Sequence, residues 1–176
     1  MLDCLVGSEM CIRDRSPIIY VDDGYFAQRA RELMPAIASS RKGIHHYLHM
    51  AKGNFRGYLR RDLVPLKKYF YVLRPLLAIQ WLEKYDNPAP IEFDQLRQLV
   101  AEHTPLDEAI TALLERKRVS LEKEYAPAVP VINEFIESEL LRHEHYVGSN
   151  NGREAQFESL NLLFKAVLER NEKLPV

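Results

Sequence analysis

The segment RKGIHHYLHMAKGNFRGYLRRDLVPLKKYFYVLR, Arg41–Arg74, decides the fold class and shows where to look for function. Ile44, Tyr47, Leu48, Ala51, Phe55, Tyr58 and Leu59 recur at steps of three and four. That spacing predicts a helix over about Arg41–Arg61, capped by Ser39 or Ser40, with these residues on its buried face. The segment also holds nine Lys or Arg residues against one acid, Asp62, and three of the six histidines. The whole chain sums to −1, so the remainder is acidic. A balance of about +8 across two helices attracts anions.

Downstream, Pro65 suits the first turn of a helix over about Pro65–Tyr85. This helix is apolar over most of its circumference (Tyr69, Phe70, Val72, Leu73, Leu76, Leu77, Ile79, Trp81, Leu82), which places it at the centre of its bundle. Pro75 should kink it, because the ring removes one backbone donor and crowds the preceding turn. Asp86–Pro90 is a break. A helix follows near Phe93–Glu102. Another is opened by Thr104 as N-cap, Pro105 at N1 and Asp107 at N3, and runs through Leu113 and Leu114 toward Leu121. Pro127 and Pro130 frame a helix carrying Ile132, Phe135, Ile136, Leu140 and Leu141. Gly148–Gly152 is a loop. Asn151 with Glu154 reads as a capping box for a last helix through Phe157, Leu160, Leu163, Phe164, Val167 and Leu168.

Upstream, Ser16–Val21 is short, β-branched and extended behind Pro17. Asp22 or Asp23 caps a helix to about Ala38, with Phe26, Ala30, Leu33 and Ile37 on one side and Pro35 as a possible kink. The expectation is an all-α domain of about seven helices with little or no sheet. At 176 residues, 47% hydrophobic and 28% charged, the chain has the composition of one soluble globular domain. No apolar run approaches a membrane span and no secretory leader pattern is present, so the default expectation is a soluble, cytoplasmic protein without membrane partners. Oligomeric state is not legible.

Residues 1–15 read differently. They have no amphipathic period and hold both cysteines. Leu5–Asp14, LVGSEMCIRD, resembles one translated frame of a transposon-type sequencing adapter; the alternative is a poorly ordered natural N-terminus. On the adapter reading the natural domain spans about 16–176, is formally neutral, lacks cysteine, and is a 5′-truncated fragment.

Several residues could carry chemistry. His45, His49, Lys52, Arg56 and Arg60 form a stripe beside the apolar face, either a solvated basic face or a phosphate or RNA-backbone contact. Met50, Gly53 and Gly57 form a small-residue stripe permitting close approach of a helix or ligand. His45 and His49 lack a third metal ligand nearby. Lys67, Tyr71 and Arg74 share a face. Arg74, inside YFYVLRPLLAIQW, must find an acid, a carbonyl or an anionic ligand, because an unpaired buried charge is costly. Lys68 can snorkel alongside. His143-Glu144-His145 lacks metal spacing and reads as a polar helix end. Asp22-Asp23 reads as a cap. No dinucleotide fingerprint, P-loop or nucleophile elbow is present.

Taken together, SPIIY, HHYLHMAKGNFRGYL, LKKYFYVLRPLLAIQWLE and PAPIEFDQL resemble the C-terminal helical half of nucleotidyltransferases of the DNA polymerase β superfamily, in the RNA-repair branch. The resemblance is closest over Ser16–Lys117. It implies the helical part of an α+β enzyme that moves a nucleotidyl group from an NTP to an acceptor, expected to be RNA, with Mg²⁺ held by Asp residues of an upstream α/β domain. No Gly-Ser…Asp-x-Asp segment occurs here, so no catalytic or metal-binding residue carries over, and this portion alone is expected to be inactive and to bind no Mg²⁺. His46, Tyr47, Lys52, Asn54, Lys67, Lys68, Tyr71 and Arg74 would line the nucleotide side, with Lys52, Lys67 and Arg74 on phosphates. The alternatives are a stand-alone helical RNA-binding domain and a protein-interaction domain.

Overall fold

In the computed structural model, which describes residues 25–37, 40–119, 124–144 and 157–171, the chain forms seven α-helices and one short β ladder. In chain order these are α1 (Phe26–Ile37), α2 (Ser40–Asn54), a π-helical turn (Phe55–Leu59), β1 (Leu63–Pro65), α3 (Lys67–Tyr85), α4 (Phe93–Arg97) running into a 3-10 turn (Gln98–Val100), α5 (Thr104–Val119), β2 (Tyr125–Pro127), α6 (Pro130–Arg142) and α7 (Phe157–Asn171). The fold is therefore all-α, as the periodicity predicts. The extended Ser16–Val21 segment, the Asp22-Asp23 cap, Ser39, the Gly148–Gly152 loop, the Asn151–Glu154 box and the adapter-like stretch lie outside the described residues.

Helix α3 is central, as its nearly all-round apolarity requires. Tyr69, Val72, Leu73, Leu76, Leu77, Ile79 and Leu82 are buried along it, and α2, α4, α6 and β1 pack around it. Each fully buried leucine or isoleucine here contributes about 1.5–3 kcal/mol of transfer free energy. Helix α3 continues through Pro75, which leaves the Tyr71 carbonyl without its helical donor. It stops at Asp86, whose left-handed φ of 47° closes the helix as its N–H bonds Leu82 O. Ser40 Oγ donates to Asp86 Oδ1 at 2.6 Å, tying the start of α2 to the end of α3. Between these helices Gly43 allows close approach, since a Cβ there would lie 2.9 Å from Leu82 Cδ1 and that side chain would have to shift.

Tyr69 joins α3 to α6. Its buried hydroxyl donates to Asn133 Oδ1 at 3.1 Å and accepts from Val129 N–H at 2.8 Å. Burial pushes its pKa above the usual phenol value, so it stays a neutral donor.

Several expected boundaries move. Pro65 belongs to β1, not to a helix: Leu63, Val64 and Pro65 pair antiparallel with Pro127, Ala126 and Tyr125. Leu66 N–H to Glu124 O and Ala128 N–H to Asp62 O extend that clip. A proline fits either place, and pairing with the distant segment decides. The α-helix expected to reach Arg61 ends at Asn54 and widens into the π turn. The helix near Phe93–Glu102 is α only to Arg97. The side-chain cap of α5 is His103, whose Nδ1 accepts from Leu106 N–H at 3.3 Å. Asp107 pairs with Arg97, one bond being 2.7 Å, and that guanidinium holds the Asp107 carboxyl below its usual range.

Five apolar positions expected on buried faces are exposed: Phe26, Tyr58, Leu141, Phe164 and Leu168. Three of them lie on α1 and α7. These helices pack on each other, and among their described side chains Ala30 and Leu163 are the deeply buried ones.

Candidate functional site

The basic stripe is built as its spacing predicts. Ile44, Leu48, Ala51, Phe55 and Leu59 turn into the core, which rotates His45, His49, Arg56 and Arg60 to the surface and leaves Lys52 half-buried. The adjacent small-residue stripe does not serve as a packing seam. Nothing lies within 4 Å of where a Cβ would stand at Gly53 or Gly57 among the described residues. The close approach falls earlier in α2, at Gly43, which the sequence reading did not single out.

Tyr58 departs from expectation in the same region. Its spacing placed it on the buried face; it is 42% exposed. The cause is the π turn Phe55–Leu59. With i→i+5 bonding each residue advances less around the axis than in an α-helix. Three steps after Phe55, the chain has not come far enough round to return Tyr58 to the core side. The ring points instead toward the start of α3, where the Lys68 ammonium sits 4.0 Å from its centroid. The same ammonium is 4.6 Å from the centroid of Tyr71, itself 48% exposed. Lys68 is thus held by two rings through cation–π attraction. Arg60 lies over Phe55 at 5.6 Å.

On its other side the stripe borders a groove of about 240 Å³. Lys52, Phe55, Arg56 and Arg60 form one wall, and Glu137, Leu140, Leu141 and Glu144 of the α6 end form the other. Exposed Leu141 therefore lines a cleft of mixed charge. Beneath α6 an ion network joins it to α3. Arg142 donates to both oxygens of Glu83, at 3.1 and 2.8 Å, and to Glu139 at 2.8 Å. His143 follows, 2% exposed, with Nε2 3.6 Å from Glu83 Oε1. The i, i+3 spacing of Glu139 and Arg142 hints at this cluster, but Glu83 comes from a helix that only the tertiary fold brings close.

The eight residues expected to line the nucleotide side meet different neighbours. Lys68 and Tyr71 meet, with Tyr58 as a third member that sequence reasoning placed in the core. Lys52 faces the α6 groove. Lys67 opens α3 beside Lys68. Arg74 donates to the carbonyl of Ile91, one of the three partners its setting demanded. His46 meets Tyr47 edge-on with centroids 5.8 Å apart, and Tyr47 packs against the core. Asn54 donates back to Met50 O at 3.0 Å.

Among the described residues no three His, Cys, Asp or Glu side chains converge to hold a metal ion. No described helix is long and apolar enough to cross a membrane.

Fold and surface together define a helical module with a cation-rich face around two exposed tyrosines. The chain belongs to the RNA repair pathway DNA polymerase beta family (RlaP), whose family model matches residues 10–166. That match takes in residues 10–14 of the adapter-like stretch, so the two readings overlap there. The chain is also 37% identical over 127 residues to the uncharacterized protein YcgL of Bacillus subtilis (strain 168). The matched region is 72% of this chain and 49% of YcgL, so the chain spans about half the length of that relative. No solved structure matches.

Proposed function

We propose that this chain is the helical portion of a nucleotidyltransferase that moves a nucleotidyl group from an NTP to an RNA end. The family match over most of the chain carries the reading, and the basic surface of α2, the π turn and α3 supports it. In this reading Mg²⁺ and the carboxylates that hold it belong to a part of the enzyme outside these helices. The helices contribute cations, with Lys52 and Lys67 on phosphates of nucleotide or acceptor and Arg74 positioned by Ile91.

The chain alone, incubated with Mg²⁺, NTPs and a single-stranded RNA, is expected to transfer nothing, yet to bind RNA with an affinity that falls steeply as salt rises. Nucleotide transfer by the chain alone would overturn the placement of the catalytic carboxylates elsewhere. Absence of salt-dependent RNA and NTP binding would remove the role given to the basic face.

A further inference from the structure

We propose that Tyr58 and Tyr71, with Lys68 between them, form a stacking platform for unpaired RNA nucleotides. This deepens the preceding reading and rests on it for the choice of RNA over other polyanions.

Three observations carry the platform. First, two aromatic rings that meet the same lysine both stand in solvent, Tyr58 at 42% and Tyr71 at 48% exposure. Their exposure is built in: the π turn turns Tyr58 outward, and Tyr71 stays exposed near the start of α3 although Tyr69, Val72 and Leu73 beside it are buried. Single π turns are frequent at functional positions. Second, Lys68 lies 4.0 and 4.6 Å from the two ring centroids, so one cation braces both rings while the rest of each stays open. Third, the surroundings are cationic and unobstructed. Arg56, Arg60, Arg61 and Lys67 neighbour the two tyrosines along the chain, Asp62 is the sole acid of Arg41–Arg74, and a Cβ at Gly57 would meet no described side chain within 4 Å beyond its immediate chain neighbours.

Rings with open surface next to cations match the chemistry of single strands. Bases stack on aromatic faces and phosphates meet Lys and Arg, without reading sequence. A duplex hides its base faces and offers the rings nothing, leaving only its phosphates to the cations. The surface therefore prefers unpaired nucleotides, such as an overhang or a broken end.

The test is fluorescence anisotropy of the whole chain with a labelled single-stranded RNA decamer and with a blunt duplex of the same length. The wild type is expected to bind the single strand more tightly. Tyr58→Ala and Tyr71→Ala should each weaken single-strand binding by roughly 5- to 100-fold. Duplex binding and the salt slope should stay unchanged, because no phosphate contact is removed, and Tyr58→Phe should restore the affinity. Equal binding of single strand and duplex, or alanine variants that bind as the wild type does, would overturn the platform. Loss of single-strand and duplex binding in equal measure would mean the tyrosines support the fold only, and melting temperatures check that directly. A protein partner in place of RNA is the outcome if the wild type binds neither RNA at low salt. NTP titration of the same variants separates the two proposals. Absent NTP binding with intact tyrosine-dependent stacking sinks the nucleotidyltransferase reading alone, and the reverse result sinks the platform alone.

Discussion

His143 shows how one residue carries a pH dependence. Burial and then the neighbouring Arg142 draw its pKa below the usual 6.5, against the opposing pull of Glu83 and Glu139, with Lys52 adding to the lowering. The folded chain therefore keeps this imidazole neutral where the unfolded chain would protonate it. Stability from this group is complete above about pH 6.5 and is lost as pH falls from there to the lowered folded value. The urea midpoint is expected to drop between pH 7.5 and 5.5. His143→Gln should flatten that drop, whatever its own cost, because histidine is the side-chain type that ordinarily titrates in this window. An unchanged slope in the variant would assign the effect to other groups.

At the scale of elements, α2 contains two kinds of helical glycine. Gly43 sits where α3 comes close, and Gly53 faces open space. Gly53→Ala should raise stability by about 0.5–1 kcal/mol through helix propensity and a less flexible unfolded chain. Gly43→Ala has the same propensity gain, but its methyl must displace Leu82 Cδ1, so its net gain should be smaller. Paired denaturation curves check this, and equal gains would show that the α2–α3 contact is slack. The periodicity of α2, α3 and α6 was legible because apolar residues at steps of three and four can bury only one way. The π turn was not. FRGYL keeps its Phe55–Leu59 spacing in either helix type, so the sequence placed Tyr58 with the core, and the ring that matters most for the platform was misassigned. Pro65 failed similarly, since a residue with fixed φ and no N–H suits a helix start and a strand equally. The His103 cap was hidden behind the better-looking Thr104-Pro105 pair.

For the whole molecule, burial is uneven. The main core gathers around α3, while α1 and α7 pack on each other with Ala30 and Leu163 as their deeply buried contacts. Amide hydrogen exchange is expected to release α1 and α7 well before α3 and α6, as a separate cooperative unit. Uniform protection across all four helices would contradict that division. The cationic surface was legible as charge, but its partition was not. Lys52 turns to the α6 groove, Arg74 to Ile91 and Lys68 to the two tyrosines, because tertiary packing rather than spacing along the chain decides which neighbour each side chain meets.

The small ladder of Leu63–Pro65 with Tyr125–Pro127 has a kinetic consequence. Helical bundles fold quickly because their contacts are local in sequence. This clip instead joins the entrance of α3 to the approach to α6, with α3, α4 and α5 all inside the loop it closes. Closing so long a loop costs chain entropy before three pairs of residues can offset it. The ladder therefore forms after the helices it encloses, as a late latch that slows the folding of an otherwise fast architecture.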